Sequence, residues 1–141
     1  MTIKTPSASK PYDKPEGERR MFEQLGIPIE GLDDGFGWKS QDLAHFAQLA
    51  RNGWEKAKAE ILGGENFMVG LDELTCPLIC GWLPLDDALL TLKSRPKEVH
   101  VVITGRRCPP EIVNLADTVT EMAKVKHAFN AGIPAQRGIE D

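Results

Sequence analysis

Apolar side chains recur at three- and four-residue steps from Leu43 through Phe46, Ala47, Ala50, Trp54 and Ala57 to Ile61, which is the period of a helix with one buried stripe. Ser40 stands where a cap belongs and Gly63-Gly64 where the helix should stop, so the pattern predicts a long helix through Leu62. Asp42, Gln48, Arg51, Glu55, Lys58 and Glu60 fall on its other, solvated face, and Trp54 belongs to the stripe that packs. Two unbroken apolar runs, Phe67-Met68-Val69-Gly70-Leu71 and Val99-His100-Val101-Val102-Ile103, predict strands buried on both faces, as in parallel sheets. Between them, residues 86–94 place Ala88, Leu89 and Leu92 on one side and end at Arg95-Pro96, which makes a strand, helix, strand unit. Residues 18–25 read as a short helix stopped by Gly26, and Ile27-Pro28-Ile29 as a short extended piece. A helix should follow Pro109-Pro110 to about Ala116, residues 118–122 should form one more strand, and residues 124–141 should wrap the surface irregularly. The class expected is α/β, a parallel sheet with flanking helices.

Residues 1–15 hold Pro6, Pro11 and Pro15 among Ser, Thr and Lys, with Ile3 and Tyr12 as the main apolar side chains. They predict a flexible leader ahead of a single domain at 16–141. With 141 residues, net charge −4, 41% hydrophobic and 27% charged positions, the chain has the make-up of one acidic globular domain. That balance lacks the broad basic footprint of proteins that bind duplex nucleic acid or anionic membranes, so neither is expected as a partner. No stretch approaches the roughly 18 consecutive apolar residues of a membrane span, and the opening lacks the apolar centre of a secretory signal. A cytoplasmic protein is expected. Cys76, Cys80 and Cys108 are odd in number and show no paired C-x-x-C spacing, so buried or idle thiols are expected rather than disulfides or zinc.

In open parallel sheets ligands gather beyond the carboxyl ends of the strands, which singles out Asp72-Glu73 and Thr104-Gly105-Arg106. Two carboxylates delivered by a buried strand are a common way to hold magnesium on a nucleotide, although acids also simply favour helix starts. Arg106 and Arg107, on a glycine-containing turn, have the planar donors to clamp phosphate oxygens or else lie on an ordinary exposed surface. Lys126 and His127 add two donors to anionic groups. Phe36 and Trp38 sit on the turn-rich Gly31-Leu32-Asp33-Asp34-Gly35-Phe36-Gly37-Trp38, where large aromatics either pin the loop to the core or face a ligand. No G-x-x-x-x-G-K followed by Ser or Thr occurs, so the backbone cradle that usually takes nucleotide phosphates is not present in this sequence.

Four strings carry a resemblance. Gly35-Phe36-Gly37-Trp38-Lys39-Ser40-Gln41-Asp42, Leu71-Asp72-Glu73-Leu74-Thr75, Val101-Val102-Ile103-Thr104-Gly105-Arg106 and the ending from Val125-Lys126-His127 to Gln136-Arg137-Gly138-Ile139 together resemble the P-loop type of cob(I)alamin (corrinoid) adenosyltransferase. The likeness runs from about Gly17 to Glu140, the family's C-terminal two-thirds. It implies a P-loop NTPase-like fold without its N-terminal strand, P-loop and helix unit, and transfer of the 5′-deoxyadenosyl group of ATP to the cobalt of a reduced corrinoid, cob(I)alamin or cob(I)yrinic acid a,c-diamide. ATP would be cosubstrate, corrinoid the substrate, and Mg²⁺ or Mn²⁺ the metal, held by Glu73 with Asp72 beside it. Phe36 and Trp38 match the aromatics that close over one face of the corrin, Arg106 would steady phosphate charge, and Lys126 and His127 open the segment that closes near the site.

The sequence departs from that pattern at Asn130, where aspartate is usual, at Pro134, where lysine is usual, and at Gly37 and Cys76, where threonine and tyrosine are more common. The resemblance therefore implies a partial domain that works with a separate nucleotide-binding segment or as a homodimer, supplied with electrons by a donor protein. The alternatives are a corrinoid-binding module without catalysis and an inactive truncated product.

Overall fold

The computed structural model describes residues 2–4, 17–31 and 43–134. Its longest element, α2 (Leu43–Gly63), buries Ala47, Ala50, Trp54, Ala57 and Ile61, most of the stripe that the apolar spacing marks out, whereas Leu43 in the first turn is exposed and Phe46 half-buried. Ser40, Phe36 and Trp38 lie outside the described residues. Gly64 follows with φ +75, a left-handed turn that glycine adopts without steric cost and that ends the helix.

Four short strands form one parallel sheet in the order β2-β1-β3-β4: β1 (Thr2–Lys4), β2 (Ile29–Gly31), β3 (Met68–Asp72) and β4 (His100–Ile103). In register, Val69 faces Val101 and Leu71 faces Ile103. β1 differs from the flexible leader expected for residues 1–15. Thr2, Ile3 and Lys4 pair with β2 on one side and β3 on the other, and the Pro-rich average of the leader hid three residues able to extend between two strand edges. α1 (Gly17–Gln24) lies close to the helix predicted there and contacts β2.

β3 and β4 are alternately rather than doubly buried. Val69 and Leu71 are inside while Met68 and Val102 remain about half-exposed. An apolar run alone does not say whether a second layer covers the sheet, and here one face carries the main packing. That face meets α2, α4 (Leu85–Ser94) and α5 (Pro110–Leu115) in a core of Trp54, Ile61, Val69, Leu71, Leu92 and Ile112, among others. A short helix, α3 (Thr75–Ile79), leaves the end of β3 and brings Leu78 to the same core. The β3–helix–β4 segment is the crossover unit expected from sequence.

α4 begins after Pro84, carries Asp86 and Asp87 in its first turn and Lys93 in its last, and ends at Arg95 before Pro96. Acid at the N-terminus and base at the C-terminus complement the helix dipole, and the residue before proline is pushed out of helical geometry. Pro110 opens α5, where its missing N–H costs no helical bond. Residues 118–122 form no strand, contrary to the pattern: Val119 and Met122 are exposed, and β-prone side chains without a surface to pack on do not make one. The tail is irregular except for a 3-10 turn, Ala128–Ala131. No helix among the described residues is long and apolar enough to cross a membrane.

One carboxylate, that of Asp87, ties α4 to α2 across the core edge through two hydrogen bonds. The Trp54 indole N–H donates to Asp87 Oδ2 at 2.6 Å, and Lys58 Nζ donates to Asp87 Oδ1 at 2.8 Å. The Lys58 hydrogen bond, then the Trp54 one, hold the Asp87 carboxyl below its ordinary range, and the same bond holds Lys58 above its own. A depressed carboxylate contributes stability above its unfolded value, and that contribution is lost as the pH falls through the folded one. Asp87→Ala leaves a buried indole N–H unpaired and should cost about 2 kcal/mol at neutral pH, measured by denaturant titration. The cost should shrink on acidification below the ordinary carboxylate range, and a cost independent of pH would contradict the charge-assisted contact.

Candidate functional site

β3 and β4 end side by side, and a single hydroxyl links their ends. The Thr104 N–H donates to the Leu71 carbonyl at 3.1 Å, continuing the ladder. Thr104 Oγ1 then donates to Asp72 Oδ1 at 2.7 Å and accepts from the Glu73 N–H at 3.0 Å. One side chain thus orients the first carboxylate and fixes the backbone of the second. Glu73 adopts φ +56, a left-handed conformation that costs a non-glycine residue about 1–2 kcal/mol. Its carbonyl accepts the Cys76 N–H at 3.0 Å, so the turn is held from both sides. Strain kept in place by surrounding bonds is typical of functional sites.

The opposing turn is equally constrained. Gly105 has φ +145, and a Cβ there would stand 2.0 Å from Thr75 Oγ1. Thr75 is 2% exposed and its hydroxyl has no hydrogen-bond partner among the described residues. Arg106 and Arg107 follow, both exposed, Arg107 with φ +52. Burial first, then Cys80 and Glu73, push the Cys76 thiol above its ordinary value, with Arg107 acting the other way. Burial alone raises Cys108.

Of the residues singled out from sequence, the structure ties the Asp72 carboxylate and the Glu73 backbone N–H to the Thr104 hydroxyl, and Arg106 follows two positions after Thr104. Lys126 and His127 are exposed, and His127 Nδ1 accepts the Phe129 N–H at 3.1 Å, capping the 3-10 turn. Their described hydrogen bonds stay within the tail. Phe36 and Trp38 lie outside the described residues. Thr104 was legible only as a strand-end neighbour: a hydroxyl residue following one apolar run opposite an acid following the adjacent parallel run is the signal for the bridge. Thr75 had no such signal, because its orphaned hydroxyl depends on the path of the Gly105 turn.

Among the described residues no three His, Cys, Asp or Glu side chains converge on a metal position. A cation here would take its protein ligands from the Asp72-Glu73 pair. That donor set fits Mg²⁺, which binds through one or two carboxylates and completes its shell with waters and phosphate oxygens.

Comparison with known proteins gives the family. The family model for ATP:corrinoid adenosyltransferase BtuR/CobO/CobP matches residues 9–140, and the chain belongs to that family. It is 40% identical over 126 residues to the corrinoid adenosyltransferase of Escherichia coli (strain K12), covering 89% of this chain and 64% of the relative. It is 39% identical over 126 residues to corrinoid adenosyltransferase CobA of Salmonella typhimurium (strain LT2), with the same coverage. With the corrinoid adenosyltransferase of Pseudomonas aeruginosa PAO1 it shares 42% over 122 residues, 86% of this chain and 59% of the relative. The chain thus spans about three-fifths of the length of these relatives.

Gly105→Ala forces a Cβ onto Thr75 Oγ1 and should destabilise the fold by about 2–3 kcal/mol. Thr75→Val removes an unpaired buried hydroxyl and should be neutral or stabilising. Thermal unfolding of the two variants checks both, and a large loss in Thr75→Val would show that its hydroxyl is bonded.

Proposed function

We propose that this chain takes part in transferring the 5′-deoxyadenosyl group of ATP to the cobalt of a reduced corrinoid, cob(I)alamin or cob(I)yrinic acid a,c-diamide. The observation that carries the reading is the Asp72-Glu73 pair, braced by Thr104 at the carboxyl end of a parallel sheet, in a chain whose family is named for ATP and corrinoid. In a P-loop NTPase-like arrangement this is the end of the sheet that meets the triphosphate.

Co(I) is the nucleophile and the ribose 5′ carbon the electrophile; the C5′–O bond breaks as the Co–C bond forms, and triphosphate leaves with the electron pair. Little covalent chemistry falls to the protein, whose work is positioning and charge stabilisation. Glu73 and Asp72 would hold Mg²⁺ or Mn²⁺, which neutralises charge on the leaving triphosphate when bound. Thr104 keeps Asp72 oriented and the Glu73 backbone in its strained turn. Arg106 offers a guanidinium to phosphate oxygens from the neighbouring strand end. Phe36 and Trp38 would close over one face of the corrin and exclude water, and Lys126 and His127 would bring the tail towards the anionic substrate. A homodimer or a separate nucleotide-binding segment completes the site, an electron-donor protein supplies Co(I), and the setting is the cytoplasm.

The test is an anaerobic spectral assay of the folded chain with chemically reduced cobalamin, ATP and magnesium, alone and with a strand–P-loop–helix segment added. Adenosylcobalamin should form in at least one arrangement. Glu73→Gln should abolish metal-dependent turnover while leaving corrinoid affinity within about twofold, as expected for a group that acts on the triphosphate. Corrinoid that is bound but never alkylated in either arrangement would identify a binding module instead.

A further inference from the structure

β4 is the outermost strand of the sheet, whose order is β2-β1-β3-β4. The His100 N–H donates to the Phe67 carbonyl at 2.9 Å and the Thr104 N–H to the Leu71 carbonyl at 3.1 Å, both towards the β3 side. Successive N–H groups along a strand point to opposite sides, so those of Val101 and Ile103 point to the edge where no strand of the described sheet lies. An edge of this kind is a template for another strand.

Residues 118–122 return to that edge. α5 follows β4 and packs on α4, and a right-handed crossover on the α4 face leads the chain to the open side of β4. Arg95, the C-cap of α4 shortly before β4, donates to Asp117 Oδ2 at 3.1 Å. Asp117 therefore stands at the end of the sheet where β4 starts, and the chain leaves it in the direction of β4. Thr118, Val119 and Thr120 are β-branched and suited to a strand, yet Val119 is exposed and no described strand includes them. An edge with unpaired N–H groups and a strand-prone segment beside it, not paired with each other, leave a place for one strand between them.

We propose that this place takes one extended strand of a separate nucleotide-binding segment, parallel to β4, which pairs with Val101 and Ile103 on one side and draws residues 118–122 into the sheet on the other. The proposal rests on the reading in which such a segment completes the site. The chain spans about three-fifths of the length of its relatives, and the length outside the match has room for a strand, a loop and a helix. Every pairing in the sheet is parallel, and a parallel insertion ends beside Thr104. The loop that follows it, the usual place of a phosphate cradle, then arrives at the Asp72-Glu73 pair. A second copy of this chain is the poorer occupant, because its sequence holds no such cradle to deliver.

Amide hydrogen exchange of the isotope-labelled chain is followed by NMR, alone and with a strand–P-loop–helix polypeptide as the probe, without ATP or corrinoid. The Val101 and Ile103 amides should exchange freely in the chain alone and slow by about tenfold or more with the probe, the factor that one well-formed hydrogen bond supplies, together with amides within 118–122. Neighbouring N–H groups point to opposite sides, so one of Val119→Pro and Thr120→Pro removes a bond to the probe and should weaken its binding about three- to tenfold. Both lie in an irregular segment and should leave the circular dichroism of the chain unchanged. An edge left unprotected by the probe, or affinity unchanged in both variants, overturns the proposal. Protection that the chain acquires by itself as its concentration rises also overturns it, by assigning the edge to a second copy. Protection without adenosyl transfer upholds the docking and counts against the catalytic reading; transfer with the edge still exchanging freely does the reverse.

Discussion

The Thr104 hydroxyl is the contact on which the candidate site depends. It donates to Asp72 and accepts from the Glu73 N–H, using both sides of one oxygen to connect the ends of β3 and β4. A serine could form the same two bonds, but threonine's branched β carbon restricts its rotamers and holds the hydroxyl in place. Without that brace the Glu73 turn would be left to bear its left-handed conformation with support from the Cys76 N–H alone. The site is thus a property of two parallel strands in register, and the register rests on Val69 and Leu71 being buried against the helices.

The helices that fix this register are themselves keyed together. α2 lays a small-residue stripe of Ala47, Ala50 and Ala57 into the core with Trp54 and Ile61, allowing close approach, and Trp54 reaches Asp87 at the start of α4. That indole bond joins a buried ring to a carboxylate already favoured by the helix N-terminus. Core packing and the strand-end turn are therefore linked through α4, which leads into β4, and through β3, which leads into Glu73.

Much of this was legible along the chain. The α2 stripe, the crossover from β3 to β4, the proline-led α5 and the strand-end acids all follow from local pattern, because period, capping and breaker residues act within a few positions. What was hidden is non-local. Thr2, Ile3 and Lys4 became a strand because two edges lay open to them, which no leader composition reveals. Val119 and its neighbours stayed irregular for want of a surface to pack against. Met68 and Val102 are half-exposed although their runs read as doubly buried, since a run records apolarity and not the presence of a second layer. Within the site, Asp72 and Glu73 could be named, but the bond from Thr104 and the orphaned hydroxyl of Thr75 arise only when two turns about thirty residues apart are set side by side.

The most direct test of the strand-end site is paramagnetic broadening of the isotope-labelled chain by Mn²⁺ in the presence of ATP, read on backbone amides by NMR. Broadening should centre on Glu73, Thr104 and Gly105 and disappear in Glu73→Gln. Broadening centred elsewhere, or unchanged by that substitution, would contradict the placement of the metal and the triphosphate at the ends of β3 and β4.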